Sequence, residues 1–307
     1  MMASMRENNV HFMEGLRGTL LMDEPMSKHT SWRVGGRAQY FYTPADKSDL
    51  VQLLQQLPDD LDLHWVGLGS NLLVLDGGVA GMVIRTSRGL TEIAVQDNAR
   101  LSIQSGVSSA KVARTASSSG LQGAGFLAGV PGSFGGALAM NAGAFGSETW
   151  DWVAEVECVN RKGQLRTFYR SEIQYGYRRV AVPDGYWFVG GVLQLEQAAD
   201  DWVGREQIRS LLDKRSASQP IQTANAGSVF RNPQGGFAAQ LIEQCGLKGT
   251  RIGGAEISTK HANFIINHGN ASAADVCELI ALMQSVVMSN FGIELETEVR
   301  LMGERGE

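Results

Sequence analysis

The chain has 307 residues, a formal net charge of −5 and a sequence pI near 5.6. This length suits two or three modest domains, and the acidic balance argues against a nucleic-acid-binding protein, whose surface would carry a basic patch. Glycine is unusually frequent, at 37 residues against 7 prolines, which indicates tight turns and loops that approach a ligand closely. Cys158, Cys245 and Cys277 form no C-x-x-C pair. Together with the absence of a signal peptide and of a long apolar run, they predict a cytoplasmic protein with reduced thiols.

The first half of the chain predicts strands with two helices among them, after a frayed tail over residues 1–16. Apolar spacing in DKSDLVQLLQQL predicts a helix, and LHWVGLG, LLVLD and GMVIRTS predict short strands joined by glycine-rich turns. TEIAVQD and RLSIQSGV continue as strands. SSAKVARTASSSG then predicts a helix that ends at Gly120. AEVECVN and QLRTFYR predict a hairpin, and YWFVGGVLQLE predicts one more strand.

Helices dominate the last third of the chain. GREQIRSLLDKRSASQP predicts a helix ended by Pro220, and GGFAAQLIEQCG predicts another with Gly246 as its C-terminal cap. SAADVCELIALMQSVVMSNFG is the clearest helix, with Ser272 and Asp275 placed as a capping box and Gly292 at its end. IELETEVRLM predicts a closing strand by alternation. Strands followed by helices predict an α+β protein with more than one domain.

Two glycine-rich stretches are the first candidates for a ligand site. GLGSNLLV lies between two predicted strands, where its backbone N–H groups and the Ser70 hydroxyl suit an anion; the alternative is an ordinary tight turn. It lacks the lysine of a P-loop and the third glycine of a Rossmann fingerprint, where Leu72 stands. GVPGSFGGALAMNAG leaves its backbone bare at the start of a helix, which suits a pyrophosphate and a flat ring, or a glycine-rich packing contact.

Seven segments occur in a fixed order: HTSWRVGG, GLGSNLLV, GVPGSFGGALAMNAGAFG, YGYR, NAGSVFRNP, GLKGTRIGGAEIS with KHANFIIN, and LETEVRLMG. Together they closely resemble the UDP-N-acetylenolpyruvoylglucosamine reductases, flavin enzymes of peptidoglycan precursor synthesis. The resemblance spans residues 19–302. It implies an FAD enzyme that uses NADPH to reduce UDP-N-acetylglucosamine enolpyruvate to UDP-N-acetylmuramate. We also expect a monomer, and the acidic net charge and the lack of a long apolar run predict that it binds neither nucleic acid nor membrane.

The same resemblance implies an α+β fold with a two-subdomain FAD-binding unit of the vanillyl-alcohol-oxidase (PCMH) type and a C-terminal α+β substrate-binding domain. The implied division is a flexible tail over 1–16, FAD-binding subdomains over 17–88 and 89–200, and a substrate-binding domain over 201–307 whose last strand returns toward the flavin. The residues implied to contact FAD are Arg33, Gly67, Gly69, Ser70, Asn71, Val130, Pro131, Gly132, Ser133, Gly135, Gly136, Met140, Asn141 and Gly143.

The family's three catalytic positions fall on Arg178, Ser228 and Glu298. An arginine fork suits a carboxylate that gains charge in the reaction, but periodicity leaves open whether Arg178 or Arg179 points inward. Glu298 shares a strand face with other glutamates, so it either lies in solvent or, at the flavin, is protonated or paired. Ser228 either caps the following helix or donates a proton to a carbon basic enough to take one from a hydroxyl.

The resemblance also places Tyr177, Arg231, Asn232, Lys260 and His261 along the substrate, although a histidine before an apolar run is often structural. The short segment between Arg178 and YWFVGG favours the subclass without a tyrosine-bearing loop over the substrate. No metal site is predicted, because His261 and His268 lack further ligands at suitable spacing. The competing hypotheses are another oxidase or dehydrogenase with the same FAD domain, and a silent sugar-nucleotide-binding protein.

Overall fold

The structure is a computed structural model that describes residues 14–199 and 204–306. Most of the predicted tail over 1–16 therefore lies outside the described residues. In the first part of the chain a four-stranded sheet has the order β1-β2-β5-β3, in which β1 is antiparallel and the other strands are parallel. Its elements, with a short strand β4 that lies outside that sheet, are β1 (Thr19–Pro25), β2 (Arg37–Thr43), α1 (Lys47–Gln56), β3 (Leu63–Val66), β4 (Leu72–Val74) and β5 (Val79–Arg85).

The middle of the chain forms a five-stranded antiparallel sheet, in the order β12-β11-β15-β7-β6, with three helices and three small two-stranded pairs beside it. The elements are β6 (Ile93–Gln96), β7 (Arg100–Gln104), α2 (Ser109–Ser118), β8 (Leu121–Gln122), α3 (Phe134–Met140), β9 (Gly143–Ala144), β10 (Ser147–Glu148), α4 (Thr149–Trp152), β11 (Val153–Asn160), β12 (Leu165–Tyr169), β13 (Gln174–Gly176), β14 (Arg179–Ala181), β15 (Tyr186–Gln194) and β16 (Glu196–Gln197).

The last part packs helices on a three-stranded antiparallel sheet, β17-β18-β19. Its elements are α5 (Gly204–Ser218), α6 (Ala238–Gln244), β17 (Arg251–Ile252), β18 (Ala255–Ile257), β19 (Ile265–Asn267), α7 (Ala273–Phe291) and β20 (Arg300–Met302). Within the described residues, short 3-10 helices cover Met26–Lys28, Gly125–Gly129 and Arg170–Glu172. Strand β20 then pairs in parallel with β4, which joins the end of the chain to its first part.

Buried side chains form four clusters. Two lie on opposite faces of the first sheet, around Phe41 and around Leu53, and a third fills the space between the five-stranded sheet and α2 and α3. The fourth surrounds α7 but also contains Trp32 and Leu73 from the first part of the chain. The C-terminal unit therefore packs directly against the segment before β2 and against β4.

Helix α7 confirms the sequence prediction at both ends. The Ser272 hydroxyl accepts the Asp275 N–H at 3.0 Å and the Asp275 carboxylate accepts the Ser272 N–H at 2.9 Å, while Gly292 ends the helix in the left-handed region at φ 67°. Within the described part of the chain, α7 is the one helix long and apolar enough to cross a membrane. Its side chains Val276, Leu279 and Met283 are buried in the C-terminal core, as in a core helix of a globular domain.

The predicted closing strand over IELETEVRLM is wrong except at its end, because only Arg300–Met302 is a strand. Before it, the Val229 carbonyl accepts the N–H groups of both Glu298, at 2.7 Å, and Val299, at 3.4 Å. Two residues thus stand opposite one, as in a β-bulge, and the alternation of faces is broken. Glu298 therefore leaves the face that sequence alternation gave it with Glu294 and Glu296.

Candidate active site

Two glycine-rich loops meet where β3 ends and α3 begins. The Ser70 hydroxyl in the loop between β3 and β4 donates a hydrogen bond to the Pro131 carbonyl at 3.1 Å. A Cβ on Gly132 would lie 2.6 Å from Ser70 Oγ, and a Cβ on Gly67 would overlap the Ser133 hydroxyl. The loops can approach this closely only because glycine carries no side chain.

The bare backbone at this junction fits the diphosphate and ring of a dinucleotide. Pro131 and Gly136 are exposed, and a Cβ on Gly136 would meet nothing nearer than 3.8 Å. The N–H groups of Phe134 and Gly135, however, donate to the carbonyls of Val107 and Ser105, both at 2.8 Å. The start of α3 therefore offers fewer free amides than the motif suggested, and the cradle depends more on the two loops.

A third turn lies against the first loop. The Ser31 N–H donates to the Gly69 carbonyl at 3.0 Å. Gly69 has φ 65°, and a Cβ there would run into the backbone of His29. Arg33 also has a positive φ, of 59°, and its side chain is exposed beside the loop. The predicted FAD contacts at Arg33, Gly67, Gly69 and Ser70 thus come from two turns that pack on each other.

Arg178 occupies the turn of a hairpin between β13 and β14 that the sequence did not predict. It has φ 54°, an uncommon conformation for a residue with a side chain and one often found at functional sites. Its guanidinium donates to the carbonyls of Asn141, at 3.1 Å, and Gly143, at 3.0 Å. The Arg178 side chain is 15% exposed, whereas Arg179 is exposed. The structure therefore places Arg178 inward.

Asn141 holds the hairpin that carries Arg178. It ends α3 in the left-handed region at φ 44° and is buried. Its amide nitrogen donates to Glu148 Oε2 at 2.8 Å and to the Gly176 carbonyl at 3.0 Å, and its amide oxygen accepts the Trp150 N–H at 3.0 Å. The Asn141 side chain, predicted to contact FAD, is thus engaged by protein groups and positions Arg178.

Glu298 lies next to Arg178. Its Oε1 is 3.3 Å from Arg178 Nε, and its side chain is 19% exposed against 67% for Glu296. Burial raises the pKa of Glu298 above its usual value, and the charges of Arg178 and Arg231 oppose that shift only in part. The solvated alternative for Glu298 is wrong, because the carboxyl group is largely buried and paired with Arg178, and burial shifts its pKa toward the protonated form.

Asn71 connects the glycine-rich loop to this carboxyl group. Its amide nitrogen donates to the Glu298 carbonyl at 3.1 Å and lies 2.8 Å from the Met140 sulfur. Both Asn71 and Met140 were predicted as FAD contacts. The loop after β3, the end of α3 and the segment before β20 therefore meet at one point, so Glu298 stands beside the proposed cofactor site.

Ser228 precedes the segment that pairs with Glu298. The Val229 N–H donates to the Asn263 carbonyl at 2.9 Å, and Phe230 bridges Thr297, so this segment is fixed on both sides. The Ser228 hydroxyl makes no hydrogen bond within residues 14–199 and 204–306. The helix-capping alternative is wrong for Ser228, because the Asn232 side chain accepts the Ala238 N–H at 3.2 Å at the start of α6.

A cavity of about 490 Å³ opens beside Arg178. Arg231 lines it, with its guanidinium 3.0 Å from Glu296 Oε2 and its Nε buried without a hydrogen-bond partner in the described chain. Arg179 and Arg231 thus bring cationic side chains to the cavity from two separate segments of the chain. The residues that line it are Gly176, Tyr177, Arg179, Arg231, Asn232, Pro233, Gln234, Glu294 and Glu296.

Lys260 and His261 are not among the residues that line this cavity. The Lys260 ammonium donates to the Ser216 carbonyl at 2.6 Å, at the end of α5. His261 packs edge-on to Phe264 at 4.8 Å, and its buried Nδ1 has no partner among the described residues. Burial lowers the pKa of His261, which favours the neutral ring. The described residues contain no cluster of three His, Cys, Asp or Glu side chains that could hold a metal ion.

One charged residue beside Arg178 escaped sequence reasoning. Glu148 lies 3.6 Å from Arg178 Nη1. Glu148 stands seven residues after Asn141, at the edge of the glycine tract, and precedes α4, which has only 4 residues. So short a helix leaves no periodic pattern, and hence the one sequence signal for Glu148 is its position as an acidic residue just beyond the glycine-rich motif.

The chain is similar to known proteins over nearly its full length. An FAD binding domain model matches residues 38–169, and the model of the UDP-N-acetylenolpyruvoylglucosamine reductase C-terminal domain matches 219–302. Proteins named UDP-N-acetylenolpyruvoylglucosamine reductase from Thiobacillus denitrificans and Methylococcus capsulatus are 51% and 50% identical, over 94% and 98% of this chain and 94% and 99% of theirs.

A crystal structure of the Thermus caldophilus UDP-N-acetylenolpyruvylglucosamine reductase has a TM-score of 0.80 and 30% identity, covering 94% of this chain and 100% of that one. The expected α+β class and the FAD-binding unit are confirmed by the matches. The two family models cover both glycine-rich loops and the segments that carry Ser228 and Glu298. This chain therefore belongs to the UDP-N-acetylenolpyruvoylglucosamine reductase family.

Proposed function

We propose that this chain reduces UDP-N-acetylglucosamine enolpyruvate to UDP-N-acetylmuramate with NADPH, as an FAD oxidoreductase of peptidoglycan precursor synthesis. The names of relatives at 51% and 50% identity and the match to an FAD binding domain support this activity. The observation that carries it in this chain is the approach of Arg178 Nε to Glu298 Oε1, at 3.3 Å, beside the two glycine-rich loops. Side chains from distant segments thus meet next to a cofactor cradle.

The cofactor is held by the two loops that pack through Gly67, Ser70, Pro131 and Gly132, with Arg33 at their edge. Bound flavin, once reduced by NADPH, supplies the hydride that adds to C3 of the enol ether. The protein must then stabilise negative charge that develops at C2 and spreads into the neighbouring carboxylate. A charge-stabilising group is most effective when it is held in place before the reaction in a site that excludes water.

We assign the stabilisation of this negative charge to Arg178. Two backbone carbonyls fix its guanidinium, which is 15% exposed, so its remaining N–H donors are aimed without further reorganisation. We assign the role of protonated hydrogen-bond donor to the same substrate carboxylate to Glu298, whose pKa is raised by burial. Arg178 and Glu298 together bind the substrate carboxylate, and a protonated Glu298 places no second negative charge beside it.

Ser228 provides the proton that completes the reduction at C2. Its hydroxyl is half-buried and bonds no group of the described chain, so it is free to face a substrate. The acceptor carbon is basic enough to take a proton from an ordinary hydroxyl once the two are positioned. We assign to Arg231, whose buried Nε lacks a partner in the described chain, the stabilisation of the alkoxide that remains on Ser228.

The cavity beside Arg178 accommodates the sugar nucleotide, with Tyr177, Arg231 and Asn232 in its lining and Lys260 and His261 farther along the substrate. The short connection from Arg178 to β15 supports the subclass without a tyrosine-bearing loop. We further propose the domain division 17–88, 89–200 and 201–307, a monomer that binds neither nucleic acid nor membrane, and a cytoplasmic location. Three free cysteines are in keeping with that compartment.

The decisive experiment separates the two half-reactions in wild type and Ser228→Ala. Under anaerobic conditions the purified flavoprotein is reduced with NADPH and followed by bleaching of its yellow colour. It is then mixed with UDP-N-acetylglucosamine enolpyruvate, and reoxidation and product are measured. We expect normal bleaching in Ser228→Ala and a loss of at least about 10²-fold in the second step, the usual range for a positioned proton donor.

Two outcomes would contradict the proposal. A variant that forms lactyl product at the wild-type rate in the second step would remove Ser228 from the proton transfer. A colourless preparation that binds the sugar nucleotide without consuming NADPH would favour the silent binding protein. An enzyme that bleaches with NADPH and ignores the enolpyruvyl substrate would instead favour another FAD oxidase or dehydrogenase.

A further inference from the structure

Arg178 lies between two carboxyl groups, only one of which belongs to the proposed catalytic set. Glu298 Oε1 is 3.3 Å from its Nε, and Glu148 Oε1 is 3.6 Å from its Nη1 on the other side. Glu148 also accepts the Asn141 side-chain N–H at 2.8 Å, and the Asn141 carbonyl accepts an N–H of Arg178 at 3.1 Å. Glu148, Asn141 and Arg178 therefore form a closed ring of contacts.

The charges in this ring are unequal. One guanidinium faces two carboxyl groups, and the nearby cation Arg231 is already paired with Glu296 at 3.0 Å. Two carboxylates that share one cation raise each other's cost of ionisation, so the more buried one keeps its proton. Glu148 is 32% exposed and Glu298 is 19% exposed.

We propose that Glu148 is a positioning residue: as the ionised partner of Arg178, it holds the guanidinium against the end of α3 and keeps Glu298 protonated for the substrate. This inference rests on the proposed function, because it gives Arg178 and Glu298 the roles assigned there. The alternative is purely structural, since Glu148 also precedes α4 as its N-cap, with the Asp151 carboxylate accepting the Glu148 N–H at 2.9 Å.

The charged groups that face Glu298 are few. Arg178 reaches it from the β13–β14 hairpin and Arg231 from the segment after Ser228, and both lower its pKa against the effect of burial. Glu148 is paired with Arg178, and Glu296 is paired with Arg231, so each of these carboxylates affects Glu298 through the arginine that it contacts. Removing the charge of Glu148 frees Arg178 to pair more fully with Glu298 and also removes a negative neighbour. Both effects favour the ionised form of Glu298.

The test is Glu148→Gln in the FAD-loaded enzyme. Glutamine keeps the side-chain length and an oxygen that can accept from Asn141, so only the charge is removed. The rate of the second half-reaction is measured against pH. Because protonated Glu298 is the active form, we expect the alkaline decline of this rate to move to lower pH by about one unit. One unit above the wild-type midpoint the variant is then about tenfold slower, while NADPH bleaches the flavin at the wild-type rate.

Glu157→Gln is the matched control. Glu157 is 31% exposed, is 2.7 Å from Lys47 Nζ, and lies outside the site, so its variant should keep the wild-type pH midpoint. Glu148→Asp retains the charge and should also keep the midpoint, to within about 0.3 units. An unshifted or alkaline-shifted Glu148→Gln profile would overturn the inference, and so would an equal shift in Glu148→Asp.

A spectroscopic measurement keeps the inference testable even where turnover is lost. Infrared difference spectra recorded against pH should show the C=O stretch of a protonated carboxyl group in wild type, assigned by its absence in Glu298→Gln. The pH midpoint at which that band disappears should fall by about one unit in Glu148→Gln and stay at the wild-type value in Glu157→Gln; an unchanged midpoint in Glu148→Gln contradicts the inference. If Glu298→Gln itself retains the full second-step rate, the role proposed for Glu298 fails, which is a separate result.

Discussion

Replacing Gly69 by alanine tests whether the first glycine-rich loop must have its observed shape. Gly69 has φ 65°, and it packs against the backbone of His29 and Thr30. A Cβ at this position would overlap the His29 carbonyl oxygen and would lie 2.9 Å from the His29 carbonyl carbon and 3.0 Å from Thr30 Cα. Backbone cannot rotate away as a side chain would, so the loop itself must move.

The expected loss of unfolding free energy in Gly69→Ala is the sum of two contributions. A residue with a Cβ in the left-handed region costs about 1 kcal/mol. The overlap with His29 adds about 1–3 kcal/mol, as for overpacking of a well-packed site. Gly246→Ala is the matched control, because Gly246 has φ 70° and a Cβ there would meet nothing within 4 Å. Both variants lose the same unfolded-state freedom of glycine, so their difference isolates the steric contribution.

The assay pairs urea unfolding of the FAD-loaded protein with titration of FAD into the flavin-depleted protein. We expect Gly246→Ala to lose about 1 kcal/mol of unfolding free energy and to bind FAD normally. Gly69→Ala should lose at least about 2 kcal/mol and bind FAD at least tenfold more weakly, because the displaced loop carries Ser70 and Asn71. Equal stability and equal FAD affinity in the two variants would refute the close-packed cradle.

Three further predictions concern the segments around the site. Asp76→Ala should lower the unfolding free energy by about 1 kcal/mol in urea titrations, because Asp76 accepts the N–H groups of Ala273 at 3.0 Å and Ala274 at 2.9 Å; exposed Asp60→Ala should leave it unchanged. Asn141→Asp should cost about 2 kcal/mol by the same measurement and slow the second half-reaction, since an acceptor then faces Glu148 and the Gly176 carbonyl; unaltered stability would contradict this. Burial raises the pKa of Glu298, so the second-step rate should fall as pH rises through that pKa in wild type and stay flat, at a lower level, in Glu298→Gln. The stability that Glu298 contributes in its protonated form should likewise be lost as pH rises through the raised pKa, and a wild-type rate that is flat with pH would contradict the assignment.

Local patterns were sufficient for much of the fold. The capping box of α7, its end at Gly292, and the hairpin of β11 and β12 all match the sequence prediction, because each depends on residues close together in the chain. The order of seven motifs was likewise enough to place the chain in its family and to select the two loops that we propose hold the cofactor.

Only the tertiary structure decided how the side chains of the site face one another. Alternation put Glu298 on a solvated face, but the Val229 carbonyl accepts two successive N–H groups and turns that carboxyl group toward Arg178. The choice of Arg178 over Arg179 depends on carbonyls of Asn141 and Gly143, more than thirty residues earlier in the chain. Contacts between distant segments leave no periodic pattern in the sequence, so they emerge only when the chain has folded.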